Sequence, residues 1–307
     1  MSVALLFPGQ GSQSVGMGND LADAFPAARE IFEEADEILG LHLSRIMWEG
    51  PEDALTATEN AQPALYVHSL ATWEVIRERV TGVAVAAGHS LGELSAHAAA
   101  GTYSFADGLR TVRIRGELMA RAGETESGSM AALLGLSPDE AETLCARGRE
   151  AGHVVVAANL NAYGQVVVSG DLGGIAWVEA HGKEAGAKRV VRLNVSGAFH
   201  SPLMAPAALE FARHLETVEM RNPEFPVESN VLAERVTRAD SVPDLLVRQL
   251  TSPVRWKDCV TDMLAVGVEA FVEVGPGSVL TGLNRRNAKG MPTHPTGTAD
   301  LVHALSF

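Results

Sequence analysis

Short runs of β-branched and small apolar residues alternate along the chain with longer stretches whose apolar positions recur every three or four residues. Val3–Phe7 is an unbroken apolar run closed by Pro8-Gly9 and reads as a strand. Leu21, Phe25, Ala28, Ile31, Phe32, Ala35, Ile38 and Leu39 share one helical face, and the pattern stops at Gly40, so a single helix is predicted over 21–39. A second helix is predicted over 61–80, with Gln62-Pro63 at its start. Residues 83–87, all Val and Ala, suit a strand buried on both faces. A helix follows over 91–100, ended by Gly101, and another begins at Phe105-Ala106-Asp107 and continues through Arg115 to around Ala122. Strands and helices in this order imply a mostly parallel α/β sheet.

The middle third is patterned differently. Four short strands are predicted at 129–136, 154–159, 165–169 and 188–193, with helices at 138–149 and 175–184 between them, and a hairpin around Asn161-Ala162-Tyr163-Gly164. The order β-α-β-β-α-β is that of a ferredoxin-like unit. The expected fold is therefore α/β: a hydrolase-like large domain with a parallel sheet, residues 1–127 and 195–307, and an inserted ferredoxin-like small domain, residues 128–194. The large domain resumes with helices over 205–218, 242–250 and 256–266 and strands over 227–230 and 270–274, while the last twenty residues, rich in Gly, Pro and Thr, read as a peripheral tail.

Charge narrows the function. Lys plus Arg is 24 and Asp plus Glu is 38, a formal net charge of -14. That balance argues against nucleic acid and against anionic membrane, both of which select clustered cations. No apolar run approaches the roughly 20 residues of a membrane span, and the N-terminus MSVALLFPGQG has no basic leader region, so a cytoplasmic protein is expected. Cys145 and Cys259 lie far apart in no CxxC pattern and read as reduced thiols; no metal-ligand spacing is present.

Gly88-His89-Ser90-Leu91-Gly92 fits G-x-S-x-G between a predicted strand and a predicted helix, the context of a nucleophile elbow. The helix start would set free N–H groups beside the hydroxyl, with the N–H of Leu91 available to an oxyanion. A serine needs a base. Of ten histidines, His200 lies in a glycine-started loop before a helix, whereas His89 would point away from the serine if the turn is an elbow. Arg115 shares its helix with Ile114 and Leu118; an inward guanidinium would seek a carboxylate, but the pattern alone favours a surface arginine. The glycines at Gly9-Gln10-Gly11 and Gly275-Pro276-Gly277 fit neither a dinucleotide fingerprint nor a P-loop.

Taken in order, FPGQGSQ (Phe7–Gln13), GHSLGE (Gly88–Glu93), Arg115-Gly116, GAFHSPLM (Gly197–Met204), Ser229-Asn230, QLTSPVRW (Gln249–Trp256) and EVGPG (Glu273–Gly277) carry a resemblance across essentially the whole chain. The chain resembles malonyl-CoA:acyl carrier protein transacylases and the acyltransferase domains of fatty acid and polyketide synthases. The resemblance implies Ser90 as nucleophile, His200 as general base oriented by a backbone carbonyl near Gln249, and an oxyanion hole from the N–H groups of Gln10 and Leu91. It implies Arg115 as the partner of the malonyl carboxylate, and Gln249, Phe199 and Asn159 as further substrate-binding residues. Phe199 matches malonyl-selective members, since methylmalonyl-selective ones usually carry Ser there. Malonyl-CoA would charge the serine in a ping-pong reaction, and the phosphopantetheine thiol of acyl carrier protein would discharge it, with no bound cofactor and no metal. A transient carrier complex and a monomeric enzyme are expected.

The carrier is expected to be acidic, so a protein at -14 needs a local cationic patch to dock it. Lys188, Arg189, Arg192, Arg285, Arg286 and Lys289 are the candidates. Two other readings stay open on the sequence. A serine hydrolase such as a thioesterase would take an acid between serine and histidine in chain order, and Asp171 lies there. An inactive carrier-binding module would lack candidate chemical residues, which this chain has.

Overall fold

The computed structural model describes Met1 to Ser306. A six-stranded sheet is built from β1 (Val3–Phe7), β2 (Val83–Gly88), β7 (Val227–Glu228), β8 (Arg235–Val236), β9 (Ala270–Glu273) and β10 (Thr293–Pro295) in the order β10-β9-β1-β2-β7-β8. All pairings are parallel except β7 with β8 at one edge. The apolar run of β1 is explained by its central place. Val3, Leu5 and Phe7 pack into one apolar cluster, and Ala4 and Leu6 pack into another across the sheet. Both faces are covered, so the strand cannot alternate apolar with polar.

A second sheet is formed by β3 (Gly128–Leu134), β4 (Val155–Ala162), β5 (Gln165–Asp171) and β6 (Arg189–Arg192), ordered β4-β5-β3-β6 with every pairing antiparallel. Its Ala131, Leu133, Val166 and Val168 pack with Leu144, Ile175 and Val178 of the helices Pro138–Glu150 and Leu172–His181. The opposite face carries Met130, Ala132 and Val167 and looks into the cleft described below. Leu160 N–H and Val254 C=O join this sheet to the segment after Gln249.

Three expectations are corrected. The helix predicted over 21–39 is two, Asn19–Ala24 and Pro26–Leu39, because the chain turns extended at Phe25 before a proline that opens the second helix. The helix predicted over 61–80 spans Thr58–Ile76 with Pro63 inside it. Pro63 is the sixth residue of that helix, so only one interior N–H bond is forfeited. The last twenty residues are no peripheral tail: they supply β10, and Arg79 donates to the carbonyls of Val302 and Leu305, tying the final helix Ala299–Ala304 down. The helices Leu43–Glu49, Glu52–Thr56 and Val279–Asn287 were not read from the sequence.

Candidate active site

β2 runs into Ser90 and the helix Leu91–Ala99 through a sharp elbow at the carboxyl edge of the parallel sheet. Ser90 sits at φ 52 and ψ -107, a conformation costly for a residue with a side chain. The flanking glycines make the turn possible: a Cβ on Gly88 would lie 1.7 Å from the carbonyl carbon of Gly92, and one on Gly92 would lie 2.0 Å from the carbonyl oxygen of Phe7. Asn230, just past β7, locks the elbow. Its Oδ1 accepts from Ser90 N–H at 2.8 Å and its Nδ2 donates to Gly88 C=O at 2.7 Å.

His200 lies 110 residues further along the chain and is 3% exposed, with Nε2 2.8 Å from Ser90 Oγ. Its Nδ1 is 2.8 Å from the main-chain carbonyl of Gln249. A carbonyl only accepts, so Nδ1 carries the proton and Nε2 is left as the acceptor for the serine O–H. Burial, and secondly the charge of Arg115, push the imidazole down to about 3, so it is neutral throughout the physiological range. Asp171, the acid a hydrolase triad would invite, caps the helix Leu172–His181 instead, accepting from the N–H groups of Gly174 and Val154. His89 is turned from the serine, its Nε2 donating to Asn161 Oδ1 at 2.7 Å.

Arg115 faces inward on the helix Phe105–Thr125 and is 1% exposed. Nη1 donates to Gln62 Oε1 at 2.7 Å, and Nη2 donates to Gln249 Oε1 at 2.8 Å and to Ser90 Oγ at 3.1 Å. Its Nε has no partner, and no carboxylate touches the guanidinium among the described residues. Burial lowers it to about 10, so it stays charged. A buried, uncommitted cation of this kind is a site for a bidentate carboxylate.

These groups converge in a cleft of about 420 Å³ between the two sheets. Arg115, Gln62 and Met119 are buried at its floor; Gly11, Asn194 and Val279 are exposed at its mouth; Asn159 and Phe199, both largely buried, line its walls. Gln10 and Leu91 also line it, and neither of their backbone N–H groups has an acceptor among the described residues. Gln10 is steadied by Nε2 donating to Thr58 Oγ1, which meets Ser196 Oγ from the histidine loop.

The six basic residues singled out in the sequence are spread unevenly. Arg286 donates to Gln165 Oε1 near the mouth, and Arg285 and Lys289 lie exposed beside it on and just after the helix Val279–Asn287. Arg189 is in register with Leu134, which in turn faces Gln165, so it shares the cleft side of the second sheet, with Lys188 exposed next to it. Arg192 is on the other side, held by Glu179 through both Nε and Nη2. Gln62, Glu93 and Asn161 were missed as site residues. A glutamate within LGELSAHAA, a helix otherwise small and apolar, was the one available signal.

Residues 4–302 match the acyl transferase domain family. A malonyl CoA-acyl carrier protein transacylase of Bacillus subtilis is 44% identical over 291 residues, 95% of this chain and 92% of the relative. Among solved structures, an acyl carrier protein S-malonyltransferase from Vibrio cholerae superimposes with a TM-score of 0.96 at 41% identity, over 100% of both chains. A type II PKS acyl-carrier protein in complex with its malonyl-transacylase contains a chain that matches with a TM-score of 0.95 at 38% identity, covering 99% of this chain and 98% of that one.

Proposed function

The chain belongs to the acyl transferase domain family, and from that premise we propose that it carries the malonyl group of malonyl-CoA, by way of Ser90, to the phosphopantetheine thiol of acyl carrier protein. The observation that carries the reading is the meeting of three groups at one hydroxyl: Ser90 Oγ has His200 Nε2 at 2.8 Å on one side and Arg115 Nη2 at 3.1 Å on the other. A nucleophile, a neutral base and an unpaired cation in one cleft suit an acyl group with a free carboxylate.

Ser90 Oγ attacks the thioester carbon as its proton passes to His200 Nε2. The N–H groups of Gln10 and Leu91 receive the oxyanion, each such donor being worth about 10²–10³ in rate. Collapse breaks the C–S bond, and the imidazolium returns its proton to the CoA sulfur. The carrier thiol then gives its proton to His200 and attacks the ester, and Ser90 leaves with the proton restored. The malonyl carboxylate also tunes the base. Once it pairs with Arg115, it offsets that residue's share of the effects that hold His200 low, leaving burial and the nearby His89, so the imidazole becomes a better proton acceptor when the correct substrate is bound. Each step balances with these side chains, the CoA thioester and the carrier thiol.

Support for carrier docking comes from the rim. Arg286 reaches Gln165 of the cleft lining, Arg189 lies on the cleft side of the second sheet, and Lys188, Arg285 and Lys289 are exposed neighbours of these two in the chain, while Arg192 is paired with Glu179. Among the described residues no helix is long and apolar enough to cross a membrane, and both cysteines are free and buried, which suits a cytoplasmic enzyme. The test is mass analysis of holo carrier incubated with malonyl-CoA and catalytic enzyme. A malonyl increment on holo carrier and none on carrier lacking the phosphopantetheine is expected; hydrolysis of malonyl-CoA with no carrier product would favour a thioesterase.

A further inference from the structure

Glu93 plays no part in the steps above, yet it lies at their centre. It sits in the first turn of the helix Leu91–Ala99, is fully buried, and forms no ion pair among the described residues. Oε2 accepts from Gln249 Nε2 at 2.5 Å and from Asn230 N–H at 3.1 Å, while Oε1 has no partner among the described residues. Burial pushes its carboxyl up to about 7, so an acid is kept here against a solvation cost.

Both groups that Glu93 holds are links to the reacting atoms. Asn230 locks the backbone of Ser90 through its side chain. Gln249 does more. The second hydrogen on Nε2 goes to Ser90 C=O at 3.0 Å, Oε1 accepts from Arg115 Nη2 at 2.8 Å, and the main-chain carbonyl accepts from His200 Nδ1 at 2.8 Å. Of the two bonds that anchor Nε2, the one to Glu93 is the shorter, 2.5 Å against 3.0 Å to the Ser90 carbonyl. A carboxylate in direct contact with Arg115 would consume the N–H groups that an acyl carboxylate needs. Glu93 instead reaches the guanidinium across one amide.

We propose that Glu93 is a positioning residue for malonyl recognition: its carboxylate anchors the amide of Gln249, which holds Arg115 in place while leaving the guanidinium free to receive the substrate's carboxylate. This rests on the malonyl-transfer reading given above.

The experiment compares kcat/KM for malonyl-CoA and acetyl-CoA, with holo carrier as acceptor, in the parent enzyme, Glu93→Gln, Glu93→Asp and Glu93→Leu. Glu93→Gln keeps an oxygen for the two N–H donors, so its malonyl-to-acetyl ratio stays within about threefold of the parent's. Glu93→Leu offers no acceptor, and Glu93→Asp keeps the charge but draws the oxygen back by a methylene. In both, the ratio drops at least about tenfold, with the malonyl loss carried mainly by KM. A purely structural role would lower both substrates alike, and that result overturns the proposal. So does a ratio that collapses in Glu93→Gln but survives in Glu93→Asp, since charge rather than geometry would then be the agent. Should Glu93→Leu fail to fold, the Gln and Asp variants decide the matter by themselves. A parent enzyme that moves acetyl as readily as malonyl overturns the transfer reading and this proposal together, whereas a malonyl-selective parent with unshifted variants overturns the proposal alone.

Discussion

Replacing Arg115 with alanine separates charge recognition from acyl transfer. The guanidinium is 1% exposed, makes three hydrogen bonds and touches no carboxylate among the described residues, so an arriving malonyl carboxylate becomes its first anionic contact. In Arg115→Ala that carboxylate enters a buried site lined by Gln62 and Gln249 with no cation. Removing one member of a buried ion pair costs about 3–5 kcal/mol. At about 1.4 kcal/mol per factor of ten, malonyl kcat/KM should drop by a hundredfold to a few thousandfold. Acetyl brings no charge to strand. The variant loses one N–H bond to Ser90 Oγ but also loses a cation that depresses His200, so acetyl transfer should change by less than about tenfold. The assay is the rate of acyl transfer to holo carrier from each CoA ester over a range of concentrations, with circular dichroism to confirm folding. A folded Arg115→Ala enzyme with its malonyl preference intact would refute the reasoning.

Other perturbations probe separate parts of the account. Glu228 in β7 is fully buried beside Asp262, and burial followed by that neighbour raises it to about 9. A raised acid keeps in the folded state a proton that the unfolded chain releases, so its contribution to stability is lost as pH rises from about 4.5 toward 9, by at most about 1.4 kcal/mol per pH unit. Thermal midpoints should therefore fall less between pH 6 and pH 9 in Glu228→Gln than in the parent; parallel curves would contradict this. Gly92→Ala drives a methyl into the Phe7 carbonyl, a backbone atom that cannot swing aside, and should cost at least the upper end of about 1–3 kcal/mol; a parental melting temperature would show the elbow to be looser than described. Arg285→Glu with Arg286→Glu should raise the KM for holo carrier and flatten its dependence on salt, and an unchanged salt slope would remove this pair from the docking surface.

How far the sequence exposed this molecule depends on how local each signal is. Val3–Phe7 and the elbow from β2 into the helix Leu91–Ala99 are set by contiguous residues, and periodicity together with two glycines found them. The break at Phe25-Pro26 was hidden because the two helices bury the same face, so apolar spacing runs on across a backbone turn. Thr293–Pro295 joins the sheet through pairing with β9, which a Pro- and Gly-rich stretch does not advertise. The inward face of Arg115 was not decided by spacing and became an expectation through the ordered motifs. Glu93, Gln62 and Asn230 stayed without roles because their partners are remote: 53 residues separate Arg115 from Gln62 and 137 separate Asn230 from Glu93. A buried polar network is a property of the folded chain, and single-residue patterns carry little of it.

The central claim is that Ser90, activated by His200, holds the acyl group between donor and acceptor. Intact-mass analysis of enzyme mixed with malonyl-CoA and no carrier tests it most directly. The parent should gain one malonyl increment, lose it on addition of holo carrier, and carry it on the peptide containing Ser90; Ser90→Ala should gain nothing. An increment that persists in Ser90→Ala, or parent enzyme that turns over substrate without ever gaining mass, would contradict the account.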